Sequence, residues 1–237
     1  MGSESAPQER SVSLFLVLAG PSGVGKATLT KALLQRHPEI HRLHTVTTRP
    51  PRPGEKPGDQ YIFVDRETFL KMLETGELME SSPVYKDGNL YGMPNNILNQ
   101  VPPDKDIALI EVDIRGKEFL KKRYPDCVTI LIVAPVEELE ERLRQRDPHI
   151  SEEEFRRRLA SALEWLKAAP TFDYIVENPQ GQMEKALAVL EAILTAELHR
   201  PHRYLRRHPI LEEIIDSAEK TPQALDRRRG SEGTSHE

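Results

Sequence analysis

Residues Gly20-Pro21-Ser22-Gly23-Val24-Gly25-Lys26 follow an apolar run, Leu14-Phe15-Leu16-Val17-Leu18-Ala19, and precede a helical pattern of Leu29, Ala32, Leu33 and Leu34. Strand, glycine-rich turn and helix in that order are the setting in which such a loop grips phosphate. Glycines let successive backbone N–H groups point inward around an anion. The helix N-terminus adds a partial positive charge, and Lys26 is long enough to reach outer phosphates. One position departs from the full signature, in which a Ser or Thr follows the lysine and its hydroxyl ligates Mg²⁺. Ala27 stands there, and Thr28 lies one step on, about 100° around the helix.

Outward from this loop the chain alternates apolar strands with amphipathic helices. Strands are expected over 13–19, 107–113, 128–134 and 173–177, and helices over 27–36, 115–123, 136–146, 152–168 and 181–198. Near-continuous apolar strands fit a parallel sheet buried on both faces. The fold class is therefore α/β with a doubly wound parallel sheet. The segment 44–100 is polar and rich in Pro and Gly, with a short strand at Tyr61-Ile62-Phe63-Val64 and a short helix at 66–74, and reads as an inserted subdomain. Residues 1–12 are expected to be a flexible N-terminal segment and 199–237 a C-terminal extension, with a helix over Ile210–Lys220 and disorder from Thr221.

Composition narrows the function classes. Lys and Arg number 33 against 38 Asp and Glu, a net charge of −5, so no bulk charge points to nucleic acid or an anionic membrane. No apolar stretch approaches the roughly 20 residues of a membrane span. Met1 to Arg10 is polar and holds no apolar signal core, so the expected location is cytoplasmic. The single cysteine, Cys127, excludes an internal disulfide framework and sits beside the apolar run 128–134, as a buried structural thiol would. His37, His41, His44 and His149 show no metal-ligand spacing, and no Ser-His-Asp or Cys-His arrangement is evident. Trp165 and its apolar neighbours read as helix packing.

Two further clusters carry chemistry. Arg49 and Arg52 sit three apart in a Pro-rich segment, where guanidinium groups can grip phosphate through paired hydrogen bonds. Arg142, Arg146 and Arg158 flank Asp147–Phe155, which reads as a mobile lid, about 144–157, that carries arginines over a transferring group and excludes water. Arg144, Arg156 and Arg157 are nearby and have the look of exposed helix arginines.

These segments belong to an ordered set: Gly20 to Lys26; Thr47-Thr48-Arg49-Pro50-Pro51-Arg52-Pro53-Gly54-Glu55; Tyr61 to Val64; Glu80; Gly88-Asn89-Leu90-Tyr91-Gly92; Glu111-Val112-Asp113; and Arg142-Leu143-Arg144-Gln145-Arg146 with Arg158-Leu159. In this set the chain resembles the guanylate kinases, P-loop enzymes that move a phosphoryl group from ATP to GMP, over about residues 13–196. The resemblance implies one kinase domain over 13–198, with the 44–100 insertion binding the monophosphate. It implies an ATP site at Gly20, Ser22, Gly23, Val24, Gly25, Lys26 and Thr28, with Asn178 near the adenine. It implies a GMP site at Thr45, Arg49, Arg52, Tyr61, Glu80, Tyr91 and Asp113. The Glu80 carboxylate would accept from guanine N1–H and the 2-amino group, with Asp113 in support. Glu111, two residues earlier, would share the face of Asp113 at the strand end and act near the metal through water. Lys26, Arg142, Arg146 and Arg158 are the implied catalytic residues. No protein side chain is assigned as a metal ligand, and Mg²⁺ is expected to be held mainly by nucleotide phosphates and water. The partners implied are ATP and GMP, with no nucleic acid or membrane, in a monomer or homodimer. Ala27 and Met93 depart from the family, the latter standing where Ser or Thr is usual. Two alternatives remain at this point: a catalytically inactive module of the same fold that binds protein, and a related kinase with a different acceptor.

Overall fold

The computed structural model describes residues 9–51, 55–56, 58, 60–83, 88–146, 150–211, 213–214 and 216–217, with side chains for all of these except 80–83, 146, 154, 158 and 159. The elements run β1 (Leu14–Ala19), α1 (Lys26–Arg36), β2 (Ile40–Arg42), β3 (Thr45–Thr47), β4 (Tyr61–Phe63), α2 (Arg66–Glu74), β5 (Leu78–Pro83), β6 (Leu90–Pro94), a 3₁₀ turn at Ile97–Gln100 and β7 (Ile107–Val112). They continue with α3 (Ile114–Arg123), β8 (Val128–Val133), α4 (Val136–Arg146), α5 (Glu152–Ala168), a 3₁₀ turn at Ala169–Thr171, β9 (Tyr174–Glu177), α6 (Met183–Leu198) and α7 (Pro201–Arg207).

β1 is buried along its whole length, as its unbroken apolar run requires. It is the centre of a five-stranded sheet ordered β2-β7-β1-β8-β9, in which every pairing is parallel. The connection leaving β1 goes to one side of the sheet and the connection leaving β8 goes to the other. Open α/β sheets bind ligands outside the carboxyl ends of strands at such a reversal. Gly20 stands there: a Cβ on it would lie 2.4 Å from the Ile132 carbonyl oxygen of β8, so a side chain would part the two strands.

The inserted segment forms a second sheet of four strands, β4-β3-β6-β5, with β3 and β4 parallel and the others antiparallel. The α2 residue Phe69 packs on it with Val46 and Leu78. Gly92 makes this close approach possible, since a Cβ there would meet Leu78 Cδ1 at 2.7 Å and Phe69 Cζ at 2.9 Å. A separate cluster joins the insertion to the core, with Met93, Ile97 and Leu98 packed among Phe15, Val17 and Ile110.

The structure corrects several expectations. The core sheet has a fifth strand, β2, which has one apolar residue and so carried no strand signal. The insertion holds four strands where one was expected. Near the N-terminus, Arg10 donates to the carbonyls of Val101 and Lys105, each at 2.7 Å, and Glu9 accepts from the Tyr124 hydroxyl. The chain divides into two compact units, 1–193 and 194–237. In the second unit α7 begins at Pro201, where proline suits the first turn, and the buried Glu197 carboxylate pairs with Arg203 and with Arg200. Residues 209–211, 213–214 and 216–217 are helical, starting one residue before the expected 210–220 span, and everything from 218 lies outside the described residues. Cys127 is buried, and burial pushes its thiol up to about 11, with Lys121 opposing. No helix among the described residues is long and apolar enough to cross a membrane.

Candidate active site

A cavity of about 840 Å³ opens at the carboxyl ends of the core strands. Its floor is the glycine-rich loop, and its far wall is the second sheet. Among the described residues it is lined by both halves of the expected site: Gly20, Ser22, Gly23, Gly25, Lys26 and Thr28 on one side, Thr45, Arg49, Tyr61 and Tyr91 on the other. Asp113, Arg142 and Asn178 complete the expected residues found on it. Val24 is fully buried and is not among the residues that line the cavity.

The loop owes its shape to glycine. Gly23 and Gly25 hold φ of 92° and 85°, a left-handed conformation that other residues adopt only with strain. Gly25 is the N-cap of α1, and no side chain caps the helix, so its first N–H groups face the cavity without a competing acceptor from a capping residue. Lys26 Nζ donates to the carbonyls of Gly20 at 2.6 Å and Pro21 at 3.0 Å, folding over its own loop. Ala27 and Thr28 are both exposed in the first turn and both line the cavity.

On the far wall, Arg49 is 8% exposed. Its guanidinium donates to both Glu55 oxygens, at 2.9 and 3.1 Å, and to the Pro50 carbonyl at 2.9 Å. It lies over the rings of Tyr61 and Phe63, 5.5 Å from each centroid. Any anion bound here would compete with Glu55 for the guanidinium. The strand register sets Tyr61 beside Thr45 and Tyr91 beside Thr47, and the two tyrosine rings meet edge to face at 5.9 Å. The Thr47 hydroxyl anchors the start of the arginine loop, donating to the Leu90 carbonyl at 2.9 Å and accepting from Arg49 N–H at 3.1 Å. Arg52 lies outside the described residues, and the side chains of Glu80, Arg146 and Arg158 are not described. The backbone of Glu80 pairs with Met93 across β5 and β6, and Met93 is 6% exposed and lines the cavity.

Glu111 and Asp113 do not share a strand face. β7 ends at Val112, and Asp113 is the N-cap of α3, accepting from Gly116 N–H at 2.8 Å. Both line the cavity, but Glu111 is buried, with an ion pair to Arg42 on one oxygen and Gln60 Nε2 at 3.4 Å from the other. No group of three or more His, Cys, Asp or Glu side chains gathers to hold a metal ion among the described residues.

Arg142 donates to Glu138 at 2.9 Å and to the Asn178 carbonyl at 3.0 Å. Gln60, Arg115 and Ser161, which carry no motif signal, also line the cavity, as does Arg157, expected to be an exposed helix arginine. Arg157, Ser161 and Trp165 recur every four residues on α5, so one helical face looks into the cavity, a periodicity that would have singled them out. Trp165 packs on Ala19 and Leu131 and also lines the cavity.

Comparison with known proteins agrees with this geometry. The guanylate kinase family profile matches residues 13–197. The chain is 43% identical over 181 residues to a guanylate kinase of Synechococcus sp. (strain JA-3-3Ab), covering 76% of this chain and 81% of that one. It is 39% identical over 191 residues to a guanylate kinase of Myxococcus xanthus, covering 80% and 90%. The crystal structure of guanylate kinase from Anaplasma phagocytophilum superposes with a TM-score of 0.60 at 32% identity, over 82% of this chain and 90% of that one. With the loop, the opposing arginine-tyrosine wall and these matches together, the chain belongs to the guanylate kinase family.

Proposed function

We propose that the protein transfers the γ-phosphoryl group of ATP to GMP, giving ADP and GDP. The observation that carries this is a single cavity walled by a phosphate loop on one side and by Arg49, Tyr61 and Tyr91 on the other. That arrangement holds two anionic nucleotides head to head. An oxygen of the GMP phosphate attacks the γ-phosphorus, and the bond to the β,γ-bridging oxygen breaks. Little covalent chemistry falls to the protein, so orientation and charge neutralisation do the work.

The loop N–H groups, Lys26 and the Thr28 hydroxyl face the ATP phosphates. Arg49, Arg52, Thr45, Tyr61 and Tyr91 hold the GMP phosphate. Glu80 accepts from guanine N1–H and the 2-amino group, with Asp113 at the start of α3 in support. Arg142, Arg146 and Arg158 neutralise the charge spreading over the transferred group. The donor set fits Mg²⁺ delivered on the nucleotide: Glu111 has both oxygens engaged, Asp113 caps a helix, and Ala27 offers no hydroxyl. Held by phosphates and water, the cation would supply further neutralisation of the phosphate oxygens. All these residues come from one chain, so the reading holds for a monomer or a homodimer.

A coupled assay of ADP formation with ATP, Mg²⁺ and GMP tests it. Turnover is expected in the wild type, with a loss of about a hundredfold or more in Lys26→Ala at unchanged thermal stability. Wild-type turnover in Lys26→Ala would remove the loop from the mechanism.

A further inference from the structure

We propose that Asn178 is a positioning residue that holds the phosphate loop in its binding conformation and ties it to helix α4, which leads into the expected lid. This rests on the reading above that the loop receives the ATP phosphates.

Asn178 follows β9 and is 6% exposed. Its backbone N–H donates to the Val133 carbonyl at 2.8 Å, extending the β8–β9 ladder by one residue. Its side-chain Nδ2 crosses to the loop and donates to the Val24 carbonyl at 2.7 Å, a bond buried from solvent. Val24 sits between the two left-handed glycines. Turning the Val24 carbonyl down to this amide leaves the neighbouring N–H groups to face the cavity. The fit is close enough to explain Gly25 sterically as well as by its φ of 85°, because a Cβ there would lie 2.6 Å from Asn178 Nδ2.

The same residue reaches α4, the helix that leads into the expected lid. Its carbonyl accepts from Arg142 Nη2 at 3.0 Å. Glu138, one turn earlier on α4, accepts from Arg142 at 2.9 Å and from Gln180 N–H at 2.6 Å through the same oxygen. The turn 178–180 is thus bonded to the loop on one side and to α4 on the other. Movement of Arg142 toward a phosphate breaks its bond to the Asn178 carbonyl while leaving the amide bond under the loop in place.

The test uses the full chain as wild type, Asn178→Ala and Asn178→Asp. The first removes the donor, and the second sets an acceptor against the Val24 carbonyl. Binding of ATP and of inorganic tripolyphosphate, which has no adenine, is measured by calorimetry, alongside KM for GMP. If Asn178 acts through the loop, both variants weaken ATP and tripolyphosphate tenfold or more and by the same factor, while KM for GMP stays within twofold. Gly25→Ala should also be less damaging in the Asn178→Ala background, where the clash is gone. Weakened ATP with unchanged tripolyphosphate would make Asn178 a base contact and overturn the proposal. Unchanged binding of both, or an equal loss for GMP, would overturn it too. Wild-type protein that bound no tripolyphosphate would instead count against the loop as the ATP phosphate site.

Discussion

Arg42→Met removes the cation from a carboxylate that has almost no access to water. The Glu111 side chain is 1% exposed and that of Arg42 is 15% exposed. Removing one member of a buried ion pair costs about 3–5 kcal/mol, because the other charge stays desolvated. Two local features place the expectation within that range. Arg42 Nε is buried without a partner, so the methionine also relieves an unsatisfied donor. The remaining donor to Glu111, Gln60 Nε2 at 3.4 Å, is long and neutral and compensates little. The low end follows, about 3 kcal/mol, equivalent to roughly 6–12 °C in Tm for a domain of this size. The assay is urea unfolding of the wild type, Arg42→Met, Glu111→Met and the double variant. Apolar residues of similar volume can replace a buried pair at little cost, so the double variant should recover most of the loss. Turnover of the folded double variant then reports what the Glu111 carboxylate contributes apart from folding. A loss below about 1 kcal/mol in Arg42→Met, or simple additivity in the double variant, would refute the reasoning.

Ala27→Ser restores a hydroxyl in the first turn of α1 and should lower the Mg²⁺ concentration for half-maximal rate; identical titration curves would show that the position does not matter. Met93 lines the cavity opposite Glu80 in the strand pairing and offers no polar group to the base. Met93→Ser should widen the GMP-to-AMP ratio of kcat/KM, whereas Glu80→Gln should reduce GMP use about tenfold or more with little change in ATP affinity. Asp173 is held below its usual value of 3.8: burial works to raise it, but Thr129 N–H at 2.8 Å and Lys121 Nζ at 3.0 Å prevail. A carboxyl held low in the folded state stabilises above the unfolded value and loses that contribution as pH falls through the folded one. Asp173→Asn should therefore lower Tm near neutral pH and flatten its decline below about pH 4, and an unaltered acid limb would contradict the assignment.

What was legible in the sequence follows the physics of each element. The runs that form β1, β7 and β8 are apolar because they lie inside the core sheet, and β9, at its edge, keeps the short apolar run Tyr174-Ile175-Val176, so apolar runs alone locate all four within a residue. β2, Ile40-His41-Arg42, is an edge strand whose arginine serves an ion pair, and only its pairing with β7 makes it a strand. β3, Thr45-Val46-Thr47, is only three residues long, and β6, Leu90–Pro94, holds Gly92 and Pro94, so both resemble loop when read locally. The phosphate loop was legible because its glycines are required by backbone geometry. The Arg42–Glu111 pair was not, since its members are 69 residues apart. The same holds for the Asn178 amide, which meets Val24 across 154 residues of chain. Arg157 reads locally as an exposed helix arginine and Ser161 carries no motif, although their spacing with Trp165 marks one face of α5.

The central claim is that this cavity pairs ATP with a guanine acceptor. The most direct measurement is kcat/KM for GMP, AMP, CMP and UMP in one coupled assay with saturating ATP and Mg²⁺. The account predicts GMP as the best acceptor, by roughly tenfold to a few hundredfold over AMP, since adenine leaves the Glu80 carboxylate without its two donors. A preference for AMP, or no turnover with any of the four, would contradict it.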